Sequence, residues 1–184
     1  MKWNSKWGAA TAIGAVTAVL VVGLPTSAQA YSSLGCRWTS TTVRLSAPSP
    51  LLSYPAWAGG ASSWNGLDAR YVVNGSGVDV YGTNENRGNT VAWSGVTRAK
   101  GTIQSFPPCS SGRWTAGQME VVLNWSIVSG YSAATRQGVA AHELGHSFGL
   151  AHNSASTAIL MYPTDGRTVT GPASDDKAGV NAYY

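Results

Sequence analysis

Acidic side chains are scarce in this chain of 184 residues. Eight carboxylates, Asp68, Asp79, Glu85, Glu120, Glu143, Asp165, Asp175 and Asp176, stand against twelve lysines and arginines. Calcium takes several oxygen ligands, carboxylates among them, and so few scattered acids assign no calcium site. The basic residues form no run either: Arg37, Arg44, Arg70, Arg87, Arg98, Arg113 and Arg136 are scattered singly, which argues against a phosphate-tracking surface and against nucleic acid as a partner. Two cysteines, Cys36 and Cys109, are enough for one disulfide and for no disulfide-dense scaffold. Neither an internal repeat nor a charge block is present, and the length suits one core.

The apolar run Ala9 to Leu24 falls short of the ~20 residues that a spanning helix needs, and Gly14, Gly23 and Pro25 interrupt it or follow it. Lys2 and Lys6 precede the run, and Ala28-Gln29-Ala30 is an A-x-A processing site. Residues 1–30 therefore read as a secretory signal cleaved before Tyr31, with a membrane anchor as the alternative. Residues 31–184 are then the functional domain, secreted to the extracellular space, monomeric and without stable membrane association. The leader takes two lysines and no acids with it, so the formal charge of +4 falls to +2 and the alkaline pI of 9.2 marks no binding surface. In an oxidising compartment Cys36 and Cys109 most simply pair, closing a loop worth about 4 kcal/mol on a chain-entropy argument. The alternative is a free thiol that reaches a metal.

Turn-forming residues punctuate the domain at Asn74 to Gly77, Thr83 to Asn89, Pro107 to Gly112 and Asp165 to Pro172. Between them lie segments with strand character, around Trp38, Val43 and Leu45, then Tyr71 to Val73, Val78 to Tyr81, Val91 to Ser94 and Met119 to Leu123. Ala56 to Leu67 reads as a weak helix, with Trp57, Ala61 and Trp64 on one face but glycines at 59 and 60. Ser132 to Leu150 reads as a strong helix, started by Ser132 as a cap, and Asp175 to Tyr184 as a short closing helix. Strands first, then a long helix and an irregular tail, predict an α+β domain.

All three histidines fall within "AAHELGHSFGLAHN", residues 140 to 153. On a helix His142 and His146 lie one turn apart on one face, and Gly149 can end the helix so that His152 swings back to the same point. Three neutral imidazoles leave a fourth tetrahedral position open, the pattern of a catalytic zinc site and not of a closed structural one. Zinc brings the pKa of a water to about 7, and Glu143, beside the ligands, is placed to take its proton. A bare HExxH occurs by chance on many helices; the full HExxHxxGxxH is far more specific.

With "VAAHELGHSFGLAH" followed by "AILMYP" at 158–163 and "SDDKAGVNAYY" from Ser174, the chain resembles the metzincin zinc endopeptidases, in their matrixin-like branch. The resemblance implies a twisted mixed β-sheet with a zinc-binding helix, a Met-turn carrying Met161, and a C-terminal helix whose aspartates tie the chain back to that turn or to the N-terminus. It also implies one catalytic Zn²⁺, peptide or protein substrates, and hydrolysis with Glu143 as general base. A substrate would lie along an exposed strand, taken as Val91 to Ser94. The position four before the first ligand is Gly138, and the resemblance implies a deep pocket there for the side chain after the cleaved bond, bounded by Tyr162, Pro163 and Thr164. No histidine remains for a second, structural zinc, and Cys36 in "LGCRW" does not match the family's inhibitory cysteine sequence. Two other functions stay open: a secreted zinc-containing module that binds cell-wall or carbohydrate ligands through its tryptophans and tyrosines, and a metal-dependent amidase of non-peptide amides.

Overall fold

A computed structural model describes residues 31–48, 53–88 and 90–184, so the leader expected over 1–30 lies outside the described residues. Among the described residues no helix is long and apolar enough to cross a membrane.

Strand β1 (Thr42–Ser46) alternates as a half-buried strand should, with Val43 and Leu45 in the core and Arg44 outward, paired to Asp79. Helix α1 (Tyr54–Ser62) carries the chain across the sheet to β2 (Arg70–Val73), which pairs parallel to β1. A helical crossover returns the chain to the end from which it started, and this makes the neighbouring strands parallel. Strand β3 (Val80–Glu85) lies parallel on the other side of β1, and β7 (Met119–Asn124) lies parallel beyond it. Only β4 (Gly95–Ala99) runs antiparallel, on the outer edge against β7. The order β2-β1-β3-β7-β4 is thus a mixed sheet, more parallel than a strands-then-helices reading suggests. A short hairpin of β5 (Cys109–Ser110) and β6 (Arg113–Trp114) stands apart and carries one end of the Cys36–Cys109 disulfide.

The weak helix is displaced from its expected range of 56–67, starting at Tyr54 and ending at Ser62. Its tandem glycines are the reason it packs so closely: a Cβ at Gly60 would come within 2.9 Å of the Ala141 nitrogen of α3 (Ala133–Ser147). Trp57, Ala61 and Trp64 are buried as their spacing implies, and the Trp64 indole donates to the Ala141 carbonyl at 3.1 Å. The turn expected from Thr83 is also later than it looked, because β3 continues through Glu85.

Val91 to Ser94, expected as a strand, is irregular; the strand starts at Gly95. Glycine reads as a strand breaker, yet here it is required by a close approach. A Cβ on Gly95 would stand 2.7 Å from Glu143 Cγ and 2.9 Å from Val139 Cγ1, so the absence of a side chain lets α3 settle against the head of β4. Strand β7, between β3 and the edge strand β4, is buried along its whole length, and its polar side chains are matched internally. Arg98 of β4, 2% exposed, bonds Glu120 at 2.9 Å and Glu85 at 2.5 Å. An arginine that looks solitary in sequence is therefore the centre of a buried ion cluster.

After α2 (Trp125–Val128) the chain enters α3, and it closes with α4 (Ser174–Tyr183) packed behind the Met161 turn.

Candidate metal centre and cleft

The helix that carries the first two histidines starts where Ser132 predicts. Ser132 Oγ accepts from the Thr135 amide at 3.1 Å, satisfying one of the unpaired donors of the first turn. At the other end the Leu150 amide reaches back to the Gly145 carbonyl and the Gly149 amide to that of His146, the pair of bonds that closes a helix around a left-handed residue. Gly149 is that residue, at φ +102°, and a Cβ there would collide with the Cys36 carbonyl. Gly149→Ala is expected to destabilise the fold by about 2 kcal/mol or more, read from denaturant unfolding, because both the backbone region and the space exclude a methyl group.

Past this turn the three imidazoles converge. His142 Nδ1 lies 2.7 Å from the Leu160 carbonyl and His146 Nδ1 2.8 Å from that of Leu150. A carbonyl only accepts, so both Nδ1 atoms carry the proton and both Nε2 atoms present a lone pair. His152 Nε2 sits 3.3 Å from His142 Nε2 and 3.1 Å from His146 Nε2. With both partners presenting lone pairs, His152 Nε2 has at most one proton to give the two of them, whereas metal–nitrogen bonds of ~2.0–2.1 Å in tetrahedral array separate their nitrogens by about 3.3 Å. The donor set fits zinc. Burial pushes the imidazoles toward the neutral form that a metal requires: His146 falls to about 4, His142 well below its ordinary value and His152 lower as well, with the charge of Arg167 adding to each.

Glu143 stands beside this cluster without joining it. Its Oε1 is 4.0 Å from His142 Nε2, and the Thr97 hydroxyl of β4 is shared between the Glu143 backbone carbonyl at 2.7 Å and Oε2 at 3.0 Å. Burial raises its pKa to about 7, against the pull of the Thr97 hydroxyl. Met161 lies under the helix, where a Cβ at Gly145 would come 2.5 Å from its sulfur. The backbone at Leu160 and Met161 is held from α4, since Asp176 accepts from both amides.

The histidine cluster lies in a cleft of about 960 Å³, lined also by Ala92–Thr97 and by Pro163, Thr164, Asp165 and Arg167. Of the four residues expected to form a pocket, Pro163 and Thr164 line it, whereas Gly138 and Tyr162 are not among its walls. The direction in which a Gly138 side chain would point is filled by Thr170, whose Cα would lie 3.1 Å from a Cβ. The sequence reading missed Thr97, Asp165 and Arg167. Arg167 donates to the Tyr162 and Thr164 carbonyls and to Asp165, each at 3.1 Å. Its Nη1 is also 3.3 Å from His142 Nδ1, but that nitrogen's proton is already given to Leu160, so two donors face one another and the contact is electrostatic only. No spacing rule flags an arginine 24 residues beyond the glutamate of an HExxH; only the fold brings it there.

Stromelysin-1 of Equus caballus is 51% identical over 51 residues, covering 25% of this chain and 10% of that protein. The match thus spans about a tenth of the curated relative's length. Among solved structures, the GM1-bound form of the ECX AB5 holotoxin is similar with a TM-score of 0.48 at 13% identity, over 84% of this chain and 86% of that one, a likeness too weak to establish a shared fold. The family described as Matrixin, Peptidase_M10, matches residues 87–184, a span that takes in the cleft-side segment, all three histidines, the methionine turn and the final helix. That match covers more than half of the sequence, and the chain belongs to the matrixin family.

Proposed function

We propose that this chain is a secreted zinc endopeptidase in which His142, His146 and His152 hold one ion and Glu143 is the general base. The observation that carries this reading is the meeting of the lone-pair-bearing Nε2 atoms of His142 and His146 with Nε2 of His152, all within 4.8 Å of one another, beside a buried carboxylate that is not one of them. A zinc ion bound there would polarise a scissile carbonyl and acidify a water. Glu143 takes the proton of the attacking water and returns it to the leaving amine, so that the amide bond is cleaved with the addition of one water. Thr97 holds the Glu143 carboxylate in place, and the Leu160 and Leu150 carbonyls fix the rings of His142 and His146. The substrate lies extended beside Ala92–Thr97, at the head of β4, the edge strand of the sheet; at the other end of β4 the Ala99 amide and carbonyl are already taken by Ser105 and Thr102.

The reading as a carbohydrate-binding module is less well supported: Trp38, Trp57, Trp64 and Trp114 are buried, and Trp93 and Trp125 are half-buried. The non-peptide amidase shares the site and is separated only by substrate. The test is zinc content and casein cleavage of the protein lacking residues 1–30, with and without a chelator. One zinc per chain and chelator-sensitive cleavage are expected; stoichiometric zinc with no cleavage across a diverse peptide library defeats the protease reading. His152→Ala is expected to weaken zinc binding by at least a hundredfold while the disulfide-linked core stays folded, and metal affinity equal to the parent's would rule out the three-histidine site.

A further inference from the structure

The geometry points to Arg167 as the group that selects the substrate side chain just after the scissile bond, favouring a carboxylate over an aliphatic or aromatic group. This rests on the protease reading above. Arg167 borders the cleft beside His142 and Glu143, on the wall made by the segment after the methionine turn, and its side chain is 5% exposed. A guanidinium has five N–H donors. Nη1 uses its two on the Tyr162 and Thr164 carbonyls, and Nη2 uses one on Asp165. Nε–H and the second Nη2–H have no protein acceptor among the described residues. With Asp165 on the Nη2 hydrogen that faces Nη1, the other Nη2–H lies beside Nε–H in the planar guanidinium, the fork that receives both oxygens of a carboxylate.

Charge favours the same occupant. Asp165 divides itself, giving one oxygen to Arg167 and the other to the Tyr131 hydroxyl at 2.9 Å. With a divalent ion on the histidines, the carboxylates of Glu143 and Asp165 do not balance the ion and the guanidinium together, so a side chain entering between them meets a net positive field. An apolar side chain would instead cover two donors and leave them unpaired, a loss that sites built for a hydrogen-bonding substrate impose on substrates lacking the group. Space offers no counter-argument, since the volume expected from the missing side chain of Gly138 is taken by Thr170.

Two measurements on the zinc-loaded protein test this. In a peptide library, kcat/KM is expected to be at least tenfold higher with Glu than with Leu or Phe after the cleaved bond, and Arg167→Met is expected to reverse the order. Calorimetry with two peptidyl hydroxamates, alike except for a carboxyethyl or an isobutyl side chain at that position, should show the acidic compound at least tenfold tighter in the parent and not in the variant. Should Arg167→Met fail to fold, Arg167→Lys decides: one ammonium cannot fill the fork, and the acidic preference must fall at least threefold. Cleavage with a preference for Leu or Phe, or an acidic preference untouched by either variant, overturns the role of Arg167 and leaves the protease standing. Selective binding of the acidic hydroxamate with no peptide cleaved leaves Arg167 standing and defeats the protease.

Discussion

Glu143→Ala is expected to lower kcat/KM for peptide cleavage by about three orders of magnitude while the protein keeps one zinc per chain. General-base catalysis by a placed side chain is worth about 10²–10⁴ in rate, and here the base would also have to deliver the proton to a poor leaving group. Zinc retention follows from position, because Oε1 is 4.0 Å from the nearest ligand nitrogen and the carboxylate is anchored on Thr97 instead. Glu143→Gln should lose nearly as much, since the amide preserves the volume and the Thr97 contact but cannot accept the proton. The pH profile gives an independent check. Burial, only partly offset by Thr97 and Arg167, raises Glu143 to about 7, and a divalent ion at the histidines draws it back down, so activity should rise with pH through a midpoint below about 7. A variant that loses its zinc in parallel with its activity, or that retains a tenth of the parental rate, would remove Glu143 from the role of base.

The centre of this site was readable because its determinants are local. His142 and His146 need only a helix, and Ser132, which begins it, and Gly149, which ends it, are recognisable residue by residue. The approach of His152 to the other two imidazoles followed from the same glycine. The wall of the cleft depends on residues whose meaning is set at long range. Gly95 looks like the end of a strand until Glu143 and Val139 are packed against it, and this moved the expected strand four residues too early. Arg98 looked like one of several solitary basic residues, yet Glu85 and Glu120 reach it only when β3, β7 and β4 are laid side by side. Arg167 is the same case in the cleft.

The expected pocket at Gly138 shows how a local rule can mislead. A missing side chain leaves a space only if nothing else enters it, and the loop that returns from the methionine turn places Thr170 there. Sheet direction was obscured for a related reason: the order of strands and helices does not say which strands pair. The crossover through α1 places β2 on one side of β1, and β3 then joins on the other, giving the parallel core.

Asp176→Ala is expected to cost about 4 kcal/mol of stability in the metal-free protein, the largest loss from any single side chain outside the apolar core. The carboxylate is 1% exposed and accepts three backbone amides: Leu160 at 2.9 Å and Ala173 at 2.8 Å on one oxygen, Met161 at 3.1 Å on the other. Each buried N–H left without a partner costs about 1–3 kcal/mol. Burial pushes the pKa of Asp176 up while those amides pull it down, so the charge itself brings little and the supply of acceptors is what the fold uses. Asp176→Asn separates the two contributions. An asparagine offers one oxygen and one NH₂, so whichever way it turns at least one amide faces a donor, and it should recover only about half of the loss. The effect reaches the metal through one shared residue: Leu160 gives its amide to Asp176 and its carbonyl to His142 Nδ1, so a turn released from α4 no longer fixes the ring of the first ligand. Zinc affinity should therefore fall about tenfold in Asp176→Ala, as happens when an outer-shell partner of a ligand is lost. Denaturant unfolding without metal and competition with a chromophoric chelator measure the two quantities separately. A stability change under 1 kcal/mol would show that α4 does not hold the methionine turn, and full stability loss with unchanged zinc affinity would show that the turn does not orient His142.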